Sequence, residues 1–154
     1  MLNALLGLLV LLLVAIHNPI PADAGGPKTF YLTTGLFAGN EALQACDKGF
    51  HMASLWEIRE TTNLSYDTSR GLTTDDSGSG PPAAPGWIRT GFFSTGQNVV
   101  GSNCNAWTSN LSSDNGTEAG LQGDFWDNAA LVISPWIAVV EQCSLRSNVW
   151  CVEN

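Results

Sequence analysis

Two short runs of this chain gather oxygen ligands within a few residues of one another: Asp75-Asp76-Ser77, and Asp124 with Asp127 and Asn128. Brought to one point, such side chains would supply part of the about six to eight oxygens that a calcium ion takes. Both runs sit in polar, turn-forming sequence, where Asp and Asn more often shape turns than hold ions. They are read as loop residues that could meet a ligand. No cofactor is expected, with calcium as the alternative. Trp126 and Trp136 flank loops and are read as an exposed aromatic platform. An indole face buries against a sugar ring or a peptide side chain without giving up a hydrogen bond. Trp56, Trp87, Trp107 and Trp150 fall in predicted elements and are expected in the core.

The four cysteines are Cys46, Cys104, Cys143 and Cys151. A zinc site would want closely spaced thiolates or Cys/His pairs. His51 is the only histidine beyond the leader, so no metal is expected and His51 is read as structural. Behind an export leader, four cysteines read as a disulfide framework, with three pairings open. The chain has no Gly-x-Ser-x-Gly, and two bridges would leave no thiol. Acid–base chemistry by Asp75/Asp76 or Glu57/Glu60 would need burial to split their pKa values. Those positions are expected to be exposed, so catalysis is not expected.

The elements that position these residues begin after a leader. Ala4 to Ile16 is apolar apart from Gly7, and Ala22-Asp23-Ala24 is a small-x-small cleavage site. The run is shorter than the about 20 residues a membrane-crossing helix needs. Residues 1–24 are read as a secretory signal, with no stable membrane insertion after cleavage. Residues 25–154 form one domain. That domain carries six basic against thirteen acidic side chains, a formal charge of −7. So acidic a surface does not neutralise phosphates, and nucleic acid is excluded as a partner.

Lys28 to Thr33 reads as a first strand. Asn40 is the expected N-cap of a helix reaching Cys46. Ser54 and Glu57 form a capping box for a second helix over Leu55 to Leu64. Thr73 to Pro85 is a breaker-rich loop. Gly86 to Gly91, Asn105 to Ser109, Ala129 to Ile133, Trp136 to Val140 and Val149 to Val152 are apolar or strand-like. Ser112 to Gly123 reads as loop.

Cys46, Gly49 and Met52-Ala53-Ser54-Leu55, followed by an acid-bearing helix, resemble the first half of a C-type lectin-like domain. Trp87-Ile88-Arg89-Thr90-Gly91 is similar to that fold's central Trp-Ile-Gly-Leu strand, departing at Arg89 and Thr90. Cys104-Asn105-Ala106-Trp107-Thr108 and Cys151-Val152-Glu153-Asn154 resemble the endostatin-like branch. The resemblance implies an α+β C-type lectin-like fold: two early helices, short antiparallel strands and long loops. It also implies nested bridges, Cys46–Cys151 around Cys104–Cys143. The calcium-binding Glu-Pro-Asn or Gln-Pro-Asp triplet of the family's lectins is absent.

The expected function is a secreted, non-catalytic module that binds an extracellular glycan or protein. Its expected contact surface is a loop-rich face over 73–85 and 109–128. The alternatives are a matrix or cell-surface adhesion protein and, further off, a carboxylate-based hydrolase. The expected location is extracellular, or periplasmic in a bacterium.

Overall fold

A computed structural model describes residues 26–75, 77–91, 102–121 and 136–154. The expected leader, Asp76, the cluster of Asp124, Trp126, Asp127 and Asn128, and the apolar run 129–133 lie outside the described residues.

The chain is a mixed α/β fold organised around its last strand. The strands are β1 (Lys28–Leu32), β2 (Phe50–Met52), β3 (Leu64–Tyr66), β4 (Gly86–Trp87), β5 (Asn115–Leu121), β6 (Trp136–Gln142) and β7 (Asn148–Glu153). They form one seven-stranded sheet in the order β3-β1-β7-β4-β5-β6, with β2 also on β7. One edge of β7 pairs antiparallel with β1, setting Leu32 opposite Trp150 and Phe30 opposite Val152. Its other edge pairs first with β4, in parallel, and then with β2, antiparallel. The β1–β3 pair is parallel too, so the expected short antiparallel strands are joined by two parallel pairings.

β7 is a continuous apolar run because both of its faces are covered. Side chains alternate across a strand, and here each set enters its own core. Trp150 and Val152 pack with Phe30, Leu32, Ile88 and Trp136. Val149 and Cys151 pack with Tyr31, Met52, Trp87 and Trp107 on the opposite face.

Two disulfides close the chain with the expected partners. Cys46 joins Cys151 across 105 positions, and Cys104 joins Cys143 across 39. In the chain-entropy account, loops of these lengths contribute about 4.7 and about 4 kcal/mol by restricting the unfolded chain.

Helices are shorter than the sequence suggested. The first is a 3-10 segment, Gly39–Gln44, capped at Ala38 instead of Asn40. Glu41 takes over the capping, its carboxylate accepting from the Ala38 amide at 3.0 Å. The second helix, α1, spans Leu55–Arg59 and stops well before Leu64. Glu60 leaves helical geometry, a 3-10 turn follows at Thr61–Asn63, and Leu64 is claimed by the ladder with β1. β-Branched Thr61 and Thr62 offer little resistance to that pull.

Two segments differ in kind. Asn105 to Ser109 is not a strand. Cys104 to Trp107 forms one left-handed turn, with φ between 45° and 61° at four non-glycine residues. Such residues cost roughly 1–2 kcal/mol each. Here the Cys104 bridge and the edge-on packing of Trp107 against Trp87 hold them (ring centroids 5.9 Å apart). The polar stretch expected as loop after Ser112 is instead β5, paired residue for residue with β6 from Asn115–Gln142 to Leu121–Trp136. Its smallness is the reason. A Cβ at Gly116 would lie 2.6 Å from the Cys104 Sγ and 2.8 Å from the Trp87 ring, so only glycine passes there.

Candidate functional site

The capping box at the start of α1 organises the site. The Ser54 amide and hydroxyl both donate to Glu57 Oε2 at 2.7 Å, and Ser54 Oγ accepts the Glu57 amide at 3.3 Å. The other carboxylate oxygen, Oε1, accepts from His51 Nε2 at 2.8 Å. His51 Nδ1 in turn lies 2.7 Å from the side-chain oxygen of Asn154. Burial pushes the Glu57 carboxyl up, but the bonds from Ser54 and His51 outweigh it and hold the group at about 2. Glu57 is therefore an anion whose two oxygens are both engaged by the protein.

Arg89 enters from the neighbouring segment. Its backbone amide donates to the Ala53 carbonyl at 2.9 Å, and its carbonyl accepts from the Leu55 amide at 2.8 Å, a parallel bridge that seats it beside the cap. The guanidinium is held more loosely than the backbone. Among the described residues its one ionic contact is Nη2 to Glu57 Oε2 at 3.6 Å, and its buried Nε has no acceptor.

Ser54, Glu57 and Arg89 line an open groove of about 600 Å³, together with Leu43, Trp56, Asn103 and Trp107. That size is within the roughly 300–1,000 Å³ of small-ligand sites. Trp107 is buried, whereas Trp56 is 66% exposed and Leu43 40%. Asn103 is committed to the scaffold: its side-chain oxygen accepts from the Thr90 amide and its nitrogen donates to the Thr90 hydroxyl. The groove thus presents an open indole, an aliphatic side chain and a weakly tethered cation.

The residues singled out from the sequence fall elsewhere. Trp136 is buried at 7% exposure, with its ring packed edge-on to Trp150 at 5.0 Å, so it is core and not platform. Trp56, expected in the core, is the exposed indole. Asp75 is exposed in the loop before β4; its neighbour Asp76, the separate cluster of Asp124, Asp127 and Asn128, and Trp126 lie outside the described residues. Among the described residues, no three His, Cys, Asp or Glu side chains are grouped to hold a metal. The expected face over 109–128 is in part strand β5.

Sequence reasoning missed the groove although a signal for Trp56 was present. On a 3.6-residue period Leu55 and Ile58 share the inward face of α1, and position 56 lies off that stripe. Comparison of the chain with protein-family models, with curated proteins and with solved structures gives no match.

Proposed function

We propose that this chain is a C-type lectin-like domain acting as an extracellular, non-catalytic binding module, and that its ligand is a glycan held in the groove at Trp56. The single observation carrying this reading is the exposed Trp56 indole on an open groove beside a guanidinium with donors to spare. An indole covers the apolar face of a sugar ring, and a guanidinium serves ring oxygens and hydroxyls. The disulfide pairing and the closure of the chain on β7 support the fold reading. The two bridges are consistent with an extracellular protein, and among the described residues no helix is long and apolar enough to cross a membrane. Glu57, held at about 2 and bonded on both oxygens, is poorly suited to carry a proton at neutral pH, which favours binding over acid–base chemistry.

A glycan array probed with the wild-type domain and with Trp56→Ala, each with calcium and with chelator, tests the reading. Signals on a subset of glycans that Trp56→Ala loses would support it. An array silent for the wild type, combined with self-association in sedimentation experiments, would replace it with the adhesion reading.

A further inference from the structure

Resting on the glycan reading of this groove, we infer that its ligand carries a carboxylate, as a hexuronate does, and that Arg89 is the residue that selects it. Most of the polar side chains lining the groove are already engaged by the protein. Ser54 and Glu57 satisfy each other, and His51 takes the remaining Glu57 oxygen. Asn103 is bonded to Thr90 through both side-chain atoms. Arg89 is the exception: among the described residues a single 3.6 Å contact holds its guanidinium, and its buried Nε has no acceptor.

A guanidinium that turns toward the groove therefore gives up one long ionic contact and no hydrogen bond. In return it gains a planar, two-pronged acceptor when the ligand offers a carboxylate. Glu57 does not repel such a ligand strongly, because Ser54 and His51 keep both of its oxygens hydrogen-bonded when Arg89 turns away. The indole of Trp56 and the side chain of Leu43 supply the apolar wall for the ring that carries the acid. A methyl ester or a neutral sugar keeps the ring and loses the second prong.

Isothermal titration of the full domain with tri-galacturonate, with its methyl ester and with neutral galactotriose tests this. The acid is expected to bind about tenfold or more tightly than the ester, with a preference that shrinks as salt is raised. Arg89→Gln is expected to erase the preference and Arg89→Lys to restore part of it. Arg89 meets Ala53 and Leu55 through its backbone, and a change of side chain leaves those two bonds available. Equal binding of acid and ester by the wild type would overturn the inference and leave the glycan reading standing. A preference that survives in Arg89→Gln would overturn the role of Arg89. Silence across these three sugars beside a positive glycan array would overturn the inference alone; silence in both would end the reading it rests on. Should Arg89→Gln fail to fold, the comparison of acid and ester on the wild type decides by itself.

Discussion

His51 Nε2 donates to Glu57 Oε1 at 2.8 Å, and this bond joins strand β2 to the first turn of the helix that carries Trp56. Through Asn154, 2.7 Å from Nδ1 of the same ring, it also joins the groove to the last residue of the chain. Glu57 is the centre of this arrangement, since it alone touches His51, Ser54 and Arg89.

Glu57 should therefore carry a pH signature. Its carboxyl sits at about 2 in the folded chain against an ordinary 4.5. The folded state keeps the charge where the unfolded chain has already taken up a proton. The stability this gives is complete above pH 4.5 and is lost as pH falls toward 2. The melting temperatures of wild type and Glu57→Gln should differ by a constant amount from neutral pH down to about 5 and converge near pH 2. A gap independent of pH would contradict the placement of Glu57.

Glu118 should behave in the opposite sense. Burial in β5 pushes its carboxyl above the ordinary value; a bond with Ser147 counters this and the nearby Glu141 adds to it. A raised carboxyl gives the folded state the greater proton affinity, so ionisation costs stability as pH rises through that value. Glu118→Gln should melt a few degrees above wild type at pH 7, with the gain fading as pH falls toward 4. A variant that melts lower at pH 7 would mean that the charge has a partner.

Trp56 and Trp136 separate binding from stability. Trp56→Ala removes an exposed ring and should change stability by no more than about 0.5 kcal/mol. Trp136→Ala empties a site packed on Trp150 and should cost about 3–5 kcal/mol. Chemical denaturation of the two variants checks the contrast. Similar losses in both would mean that Trp56 is not open to solvent.

Gly116 is a packing requirement. Its missing Cβ leaves room for the Cys104 sulfur and the Trp87 ring. Gly116→Ala should cost about 1–3 kcal/mol as an overpacked site. Because the strain falls on Cys104, non-reducing peptide maps of this variant should show loss of the Cys104–Cys143 bridge before the Cys46–Cys151 bridge. Wild-type stability with both bridges intact would contradict the close approach.

The parts legible in the sequence were those fixed by a local signal. Strands β1 and β7 announce themselves as β-branched and aromatic runs, and Ser54 with Glu57 spells a cap. The bridges followed from a family resemblance in cysteine order. Strand β5 was not legible, because Asn115–Leu121 is small and polar, and its fitness shows only against Trp87 and the Cys104 sulfur. The left-handed turn at Cys104–Trp107 carries no glycine to mark it. Trp136 and Trp56 exchanged their expected roles for related reasons. The burial of Trp136 depends on a partner far along the chain, Trp150. The exposure of Trp56 follows from a helix so short that its apolar stripe is Leu55 and Ile58 alone. Arg89 and Leu43 came to one groove with Trp56 through the β-bridge at Ser54 and the fold of the 3-10 segment, neither of which sequence spacing encodes.

The most direct test of the groove is an indole-region NMR titration of the labelled domain, with the Trp56 signal assigned by Trp56→Phe and the sugar taken from the array. The account predicts that the Trp56 indole resonance moves in proportion to occupancy while those of Trp87 and Trp150, buried at 0% exposure, stay in place. Binding that leaves the Trp56 resonance unmoved would contradict the assignment of the site.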